Sequence, residues 1–333
     1  MTIIDEVIRL KGDIGRIPVA PVITSRRELF EDLIRNNRSK LEGFDGFLLH
    51  PAVFDSGWVY LPSKPSLQEP IQVIKQFEDY DRLNELGPVE YAIEVHKEKD
   101  LLSDIEKRLK EAPQEVNRFV DEVSKWGIAF YCGALGVTPM GYITYFRGFY
   151  DAIKDLARDM TTMYKVAMNI AKKYPDFLVE FCKTSGVPRV WISFANATPS
   201  IVGDYYFDKI VWPSTKIMLE NLINKGITPI IQFDEEIKNL KFLTQLPSRT
   251  FAVHLPSSSD LLGVVKMLSG SACVIGNLKI PPDDSELRRI DTLHKLLSEY
   301  KPRNLIISTG GESPFVMTAD NIGELSIFNS FIK

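Results

Sequence analysis

The chain has 333 residues, with 40 lysines and arginines against 44 acids, a formal net charge of −4 and 44% hydrophobic residues. Those values are ordinary for a folded globular protein and exclude disorder, collagen-like repeats and a nucleic-acid binder held by bulk charge. Three widely spaced cysteines (Cys132, Cys182 and Cys273) make neither a disulfide framework nor a Cys-x-x-Cys metal knuckle. No apolar run approaches the roughly 20 residues that span a bilayer, and Met1–Lys11 lacks the apolar stretch of a secretory leader. A cytoplasmic, reduced enzyme without nucleic-acid or membrane partners is expected.

Eight short, near-continuously apolar runs punctuate the chain: Ile17–Ile23, Phe44–Leu49, Gly127–Tyr131, Val190–Phe194, Thr228–Phe233, Phe251–Leu255, Cys273–Ile275 and Leu305–Ser308. Continuous rather than alternating apolarity predicts parallel strands covered on both faces. Helical patterns lie between them. Val116, Phe119, Val120, Val123 and Trp126 recur at helical spacing, with Pro113 as an opening residue. Ile153 to Ile170 repeats the pattern, with Pro175 just past its end. Ile217–Asn224, Leu261–Leu268, Ser285–Tyr300 and Ala319–Phe331 supply the helices of the second half.

This alternation predicts an α/β protein, a single (β/α)8 TIM barrel over residues 1–333. A doubly wound sheet would carry a glycine-rich loop after its first strand, where Thr24-Ser25-Arg26-Arg27 stands instead. Residues 51–115 read as an inserted N-terminal elaboration over the barrel mouth, rich at first in proline and aromatics.

In a barrel the chemistry sits at the carboxyl ends of the strands. Those ends carry Arg26 and Arg27, His50, Cys132, Asn196, Gln232 and Asp234, His254, Asn277, then Ser308, Thr309 and Glu312. Asp234 and His254 fall on neighbouring strand tips. They suit an acid–base pair, a Zn²⁺ site, or a solvated acidic turn beside a hydrogen-bonded histidine. Thr309-Gly310-Gly311-Glu312 reads either as a phosphate-holding loop or as a left-handed turn. Arg147 either grips an anionic group or pairs with Asp151 or Asp155, and Cys132 reads as a buried, inert thiol.

Four segments together resemble the uroporphyrinogen decarboxylase superfamily. They are Trp212-Pro213 leading through Lys225-Gly226 to the strand Thr228–Ile231; Ile275-Gly276-Asn277; Ile307 to Glu312; and Tyr145-Phe146-Arg147-Gly148-Phe149. The resemblance implies a (β/α)8 barrel belonging either to a tetrapyrrole decarboxylase or to a corrinoid-dependent methyltransferase. In the thiol-activating methyltransferases zinc is held by His-x-Cys and a later Cys; here those positions are Gln232, Asp234 and Gly311. The decarboxylases open with an arginine-rich loop that is not kept at Arg26 and Arg27. A third subgroup, similar in having a carboxylate after the fifth strand and a histidine after the sixth, fits better. Some of its demethylase relatives bind zinc through Glu and His, and Glu220 and Glu235 repeat one of their spacings.

The resemblance therefore implies methyl transfer between a small methylated compound and a corrinoid (cobalamin) carried by a partner protein. Asp234, His254 and Gln232 would be catalytic, with zinc, if bound, on Asp234 and His254. Arg26, Arg147, Asn196, Asn277 and Glu312 would contact substrate or cofactor. A homodimer is expected by the same likeness. Tetrapyrrole decarboxylation and a non-catalytic small-molecule or corrinoid-binding barrel are the alternatives.

Overall fold

The computed structural model of the protein describes residues 3–10, 16–24, 44–46, 48–49, 72–98, 105–125, 129–130, 132–194, 196–311, 315–316 and 322–331. They divide between two compact units. The first comprises Met1–Phe54, Phe119–Cys132 and Ile230–Lys333; the second comprises Asp55–Arg118 and Gly133–Pro229. Strands are numbered in chain order: β1 Val22–Thr24, β2 Leu48–Leu49, β3 Ala134–Val137, β4 Arg189–Ser193, β5 Thr228–Gln232, β6 Ala252–His254, β7 Cys273–Leu278, β8 Leu305–Thr309 and β9 Phe315–Val316. The architecture is α/β, with six parallel strands, β3 to β8, in sequence order and a three-stranded parallel sheet ordered β2-β1-β9. The described strands thus form two sheets where the alternation of sequence predicts one ring of eight.

In the first unit β5, β6, β7 and β8 run side by side, and a bridge between Val19 and Ile307 brings the chain leading into β1 against β8. Ile230, Ile231, Val253, Val274, Ile275, Leu305 and Ile306 expose none of their surface. Burial of such a side chain contributes about 1.5–3 kcal/mol, which accounts for the unbroken apolar runs that mark these strands in the sequence. Asp45 ties the approach to β1, accepting from the Val19 amide at 2.8 Å and from Arg16. No alternating pattern foretold β9, a two-residue strand that pairs with β1.

In the second unit β3 pairs in parallel with β4, from Ala134 opposite Val190 to Val137 opposite Ser193. Of the run Gly127–Tyr131 marked by the sequence, 127, 128 and 131 lie outside the described residues and Phe130 carries a β-bridge; β3 at Ala134–Val137 is a strand that the sequence does not mark. The cause is steric. A Cβ on Gly133 would stand 2.4 Å from the Val187 carbonyl oxygen, and one on Gly136 would stand 2.8 Å from Ile192 Cδ1. Close approach demands glycine in a strand that glycine otherwise disguises.

Two helices also depart from expectation. Helix Ile105–Ser124 runs through Pro113, and helix Met160–Ser185 runs through Pro175. An interior proline forfeits a backbone hydrogen bond. In the second case Met163, Val166, Ala167, Ile170, Tyr174 and Leu178 keep one stripe fully buried across the proline. That burial outweighs a cost of about 3 kcal/mol. The break falls earlier, at Asp159, whose side chain accepts from the Thr162 amide at 3.1 Å and so caps the longer helix. Of the expected elaboration, 51–71 and 99–104 lie outside the described residues, and the remainder forms helices Asp79–Leu86 and Pro88–Glu98 and the start of Ile105–Ser124. Among the described residues no helix is long and apolar enough to cross a membrane.

The glycine at the head of β3 is testable. Gly133→Ala should lower unfolding stability by about 1–3 kcal/mol, the usual cost of overpacking, and denaturant melts should show it as a reduced midpoint. An unchanged midpoint would mean that the β3–β4 approach is looser than described.

Candidate functional site

The carboxyl ends of β5, β6 and β8 in the first unit meet around one turn. Gln232 and His254 are register partners, so their side chains share a face of the sheet. Gln232 is buried; its amide nitrogen donates to the Asp234 carboxylate and to the Gly311 carbonyl. His254 exposes none of its surface, and its Nε2 lies 2.9 Å from the Thr309 carbonyl oxygen. A carbonyl only accepts, so Nε2 carries the proton and the tautomer is set by β8. Asp234 stands two residues beyond Gln232, outside the strand, and is exposed. It occupies a bend rather than the first turn of a helix.

The turn that covers this end is Gly310-Gly311. Gly310 donates its amide to Leu278 O at 2.9 Å, and Gly311 donates to Leu255 O at 2.8 Å. Both amides are therefore committed to strand ends and are not turned toward an anion. Neither glycine has a positive φ, so the turn is not left-handed. Glycine at 311 is explained by contact instead: a Cβ there would stand 3.1 Å from His254 O and 3.3 Å from His254 Cγ.

Other residues nominated by sequence have structural partners. Asn277 is fully buried; its Nδ2 donates to Pro256 O at 2.8 Å and to Ser259 O at 2.9 Å, while its Oδ1 accepts from Arg289 at 3.1 Å. Arg289 in turn grips Glu286, which is 5% exposed and accepts the Lys279 amide. This Asn277–Arg289–Glu286 chain secures the end of β7, and nothing in the local sequence announces it, since the partners lie on a helix nine and twelve residues further on. In the second unit Arg147 pairs with Asp155 at 2.7 Å and also donates to Ile74 O and Lys75 O. Of the two roles open to Arg147, pairing is the one present. Tyr80 completes the cluster by donating to Asp155 at 3.0 Å, and burial with that carboxylate beside it raises its phenol well above the ordinary range. Asn196 is exposed with φ 57°, a turn residue in the second unit. Arg26, Arg27, His50 and Glu312 lie outside the described residues.

The described residues at these positions do not make a zinc shell. Gly311 offers no side chain, the Gln232 amide nitrogen is directed at acceptors, and His254 Nε2 is spent on Thr309. Among the described residues no group of three or more His, Cys, Asp or Glu side chains is arranged to hold a metal. Cys132, Cys182 and Cys273 are buried, and burial pushes the Cys182 thiol up to about 12, far from thiolate reactivity.

No protein-family model matches the sequence, and no curated protein matches it. The fold is similar to a solved structure described as a methyltransferase from Methanosarcina mazei, with a TM-score of 0.59 over 98% of this chain and 97% of that chain at 12% identity. At that identity the likeness is one of fold.

If Asn277 holds the fold rather than a ligand, Asn277→Ala should destabilise the protein by about 1–3 kcal/mol through its stranded partners. Urea unfolding would register this directly. A variant of unaltered stability would return Asn277 to the list of ligand contacts.

Proposed function

We propose that this protein transfers a methyl group between a small methylated compound and a corrinoid held by a partner protein, at the carboxyl ends of β5, β6 and β8. The observation that carries the proposal is the Gln232–Asp234 pair: a buried amide donates to a solvent-facing carboxylate at the end of β5. The fold likeness to an archaeal methyltransferase and the resemblance of Ile307 to Glu312 and of Ile275-Gly276-Asn277 support it.

The corrinoid enters as a substrate, its reduced cobalt supplying the electron pair for the new bond to the methyl carbon. The pair of the old bond remains on the oxygen, nitrogen or sulfur that the methyl leaves. That atom then gains a proton; in the opposite direction the attacking atom loses one. An oriented, exposed carboxylate serves the second case as a general base, since it accepts the proton as the nucleophile forms its bond. Gln232 restricts the carboxylate to one rotamer and so fixes where the proton is received. His254, held by Thr309, shapes the floor below.

A binding protein without turnover is the second reading, and the full burial of His254 beneath Gly311 favours it. Tetrapyrrole decarboxylation has no comparable support, because Arg147 is engaged by Asp155 within the second unit.

The test is spectroscopic. The purified chain, mixed with reduced or methylated cobalamin and a panel of methyl donors and acceptors, should change the cobalamin absorbance with at least one of them. Asp234→Asn should slow that change by about 10²–10⁴-fold, the usual worth of a general base. Absence of change throughout the panel, also with corrinoid proteins added, would overturn methyl transfer and leave the binding reading.

A further inference from the structure

Ser308 has a hydroxyl with no assigned work. It lies in β8, exposes none of its surface, and its Oγ has no hydrogen-bond partner. A buried, unsatisfied hydroxyl costs about 1–3 kcal/mol, and such groups in folded proteins call for an explanation. Its neighbour Thr309 has none to spare: Thr309 Oγ1 donates to Val22 O at 3.2 Å and its carbonyl receives His254.

Register fixes the direction of Ser308. His254 pairs with Ile275, and Ile275 pairs with Ile306, so these three side chains share one face with Gln232. Ser308 follows Ile306 by two residues in a regular strand and projects from the same face. The His254 ring reaches from β6 to the carbonyl of residue 309, adjacent to Ser308. An imidazole of fixed tautomer, an orienting amide and an unsatisfied hydroxyl are thus gathered on one face at one end of the first unit.

We infer that Ser308 is a substrate-orienting residue whose hydroxyl bonds an uncharged polar atom of the ligand, a carbonyl, ether or hydroxyl oxygen. This rests on the reading above only in taking the strand ends as the reaction site. The uncharged class follows from the surroundings. Register places Asn277 opposite Ser308, a neutral amide already bonded to Pro256 O, Ser259 O and Arg289, whose own charge is taken by Glu286, and the fully buried Ile306 flanks Ser308 along the strand. A carboxylate or ammonium brought there would lose its hydration without a counter-charge. We take access to come by a shift of the Gly310-Gly311 turn, which begins two residues further along the chain. Its two backbone bonds and the Gln232 contact are what must open, with no side chain of its own to strip from a core.

The experiment uses the full chain with Ser308→Ala and, should that variant not fold, the isosteric Ser308→Cys. Thermal melting is measured beside ligand-observed NMR titrations with N-methylacetamide, acetate and methylammonium. The expected result is a Ser308→Ala protein that melts at or above the wild-type temperature yet binds N-methylacetamide about tenfold more weakly, one neutral hydrogen bond's worth. Wild type should prefer N-methylacetamide to either ion by a similar factor. Unchanged affinity in the variants, no binding to wild type, equal affinity for acetate, or a lower melting temperature with binding intact would each overturn the assignment. Loss of N-methylacetamide binding in a chain that never alters the cobalamin spectrum would uphold Ser308 while methyl transfer fails. Cobalamin turnover with the same KM in wild type and Ser308→Ala would do the reverse.

Discussion

The candidate site depends on one close approach, the seating of Gly311 against His254. Because residue 311 has no Cβ, the turn after β8 descends far enough for its amide to meet Leu255 O and for its carbonyl to meet the Gln232 side chain. That single contact draws the ends of β5, β6 and β8 together, with the Gly310 amide adding β7 through Leu278. It also buries the imidazole and leaves Asp234 as the polar group of the trio that faces water. A side chain at 311 would have to displace the His254 backbone oxygen, which is itself part of the strand end. A glycine chosen for proximity, rather than for unusual dihedral angles, is therefore what determines the shape of this end of the molecule.

The same turn changes what the chemistry can be. A thiolate in place of Gly311 could join the strand tips through a metal. Here a hydrogen-bonded amide joins them. An amide–carbonyl link is weaker than a metal shell and directional, and the same amide orients a neighbouring carboxylate. The chain's own groups at this end are thus suited to guiding protons and uncharged polar atoms. They are poorly suited to activating a thiol by coordination.

Strands β5 to β8 were legible in the sequence because each is buried on both faces and so reads as a short apolar run. β3 was not, because Gly133 and Gly136 are there to admit neighbouring chain and carry no side chain that would signal a strand. Pro113 and Pro175 misled for the converse reason: local chemistry marks a helix boundary, yet a continuous buried stripe overrides it. The strand-end logic correctly nominated Gln232, Asp234 and His254 as residues of neighbouring tips, but register is not written in a sequence. Gln232, not Asp234, is the residue beside His254, and two residues along a strand is about 6.6 Å. For Arg147 the sequence offered a ligand or a partner, and only the fold, by bringing Asp155 and the carbonyls of residues 74 and 75 together, decided between them.

The polar groups sort themselves by what they have left to give. Asn277 has spent both its donor and its acceptor on backbone and Arg289, and Asp155 receives both Arg147 and Tyr80. Recruiting either for a ligand would first break a buried arrangement, and breaking a buried ion pair typically costs about 3–5 kcal/mol. Small-ligand binding seldom has that much surplus free energy. Ligand chemistry must then fall to groups whose engagement adds bonds without removing any. In the first unit Ser308 meets that condition, with a hydroxyl that folding leaves unsatisfied, while Asp234, which accepts from Gln232, is the group that water reaches. Strand-end position alone does not distinguish Ser308 from Asn277; unspent hydrogen-bonding capacity does.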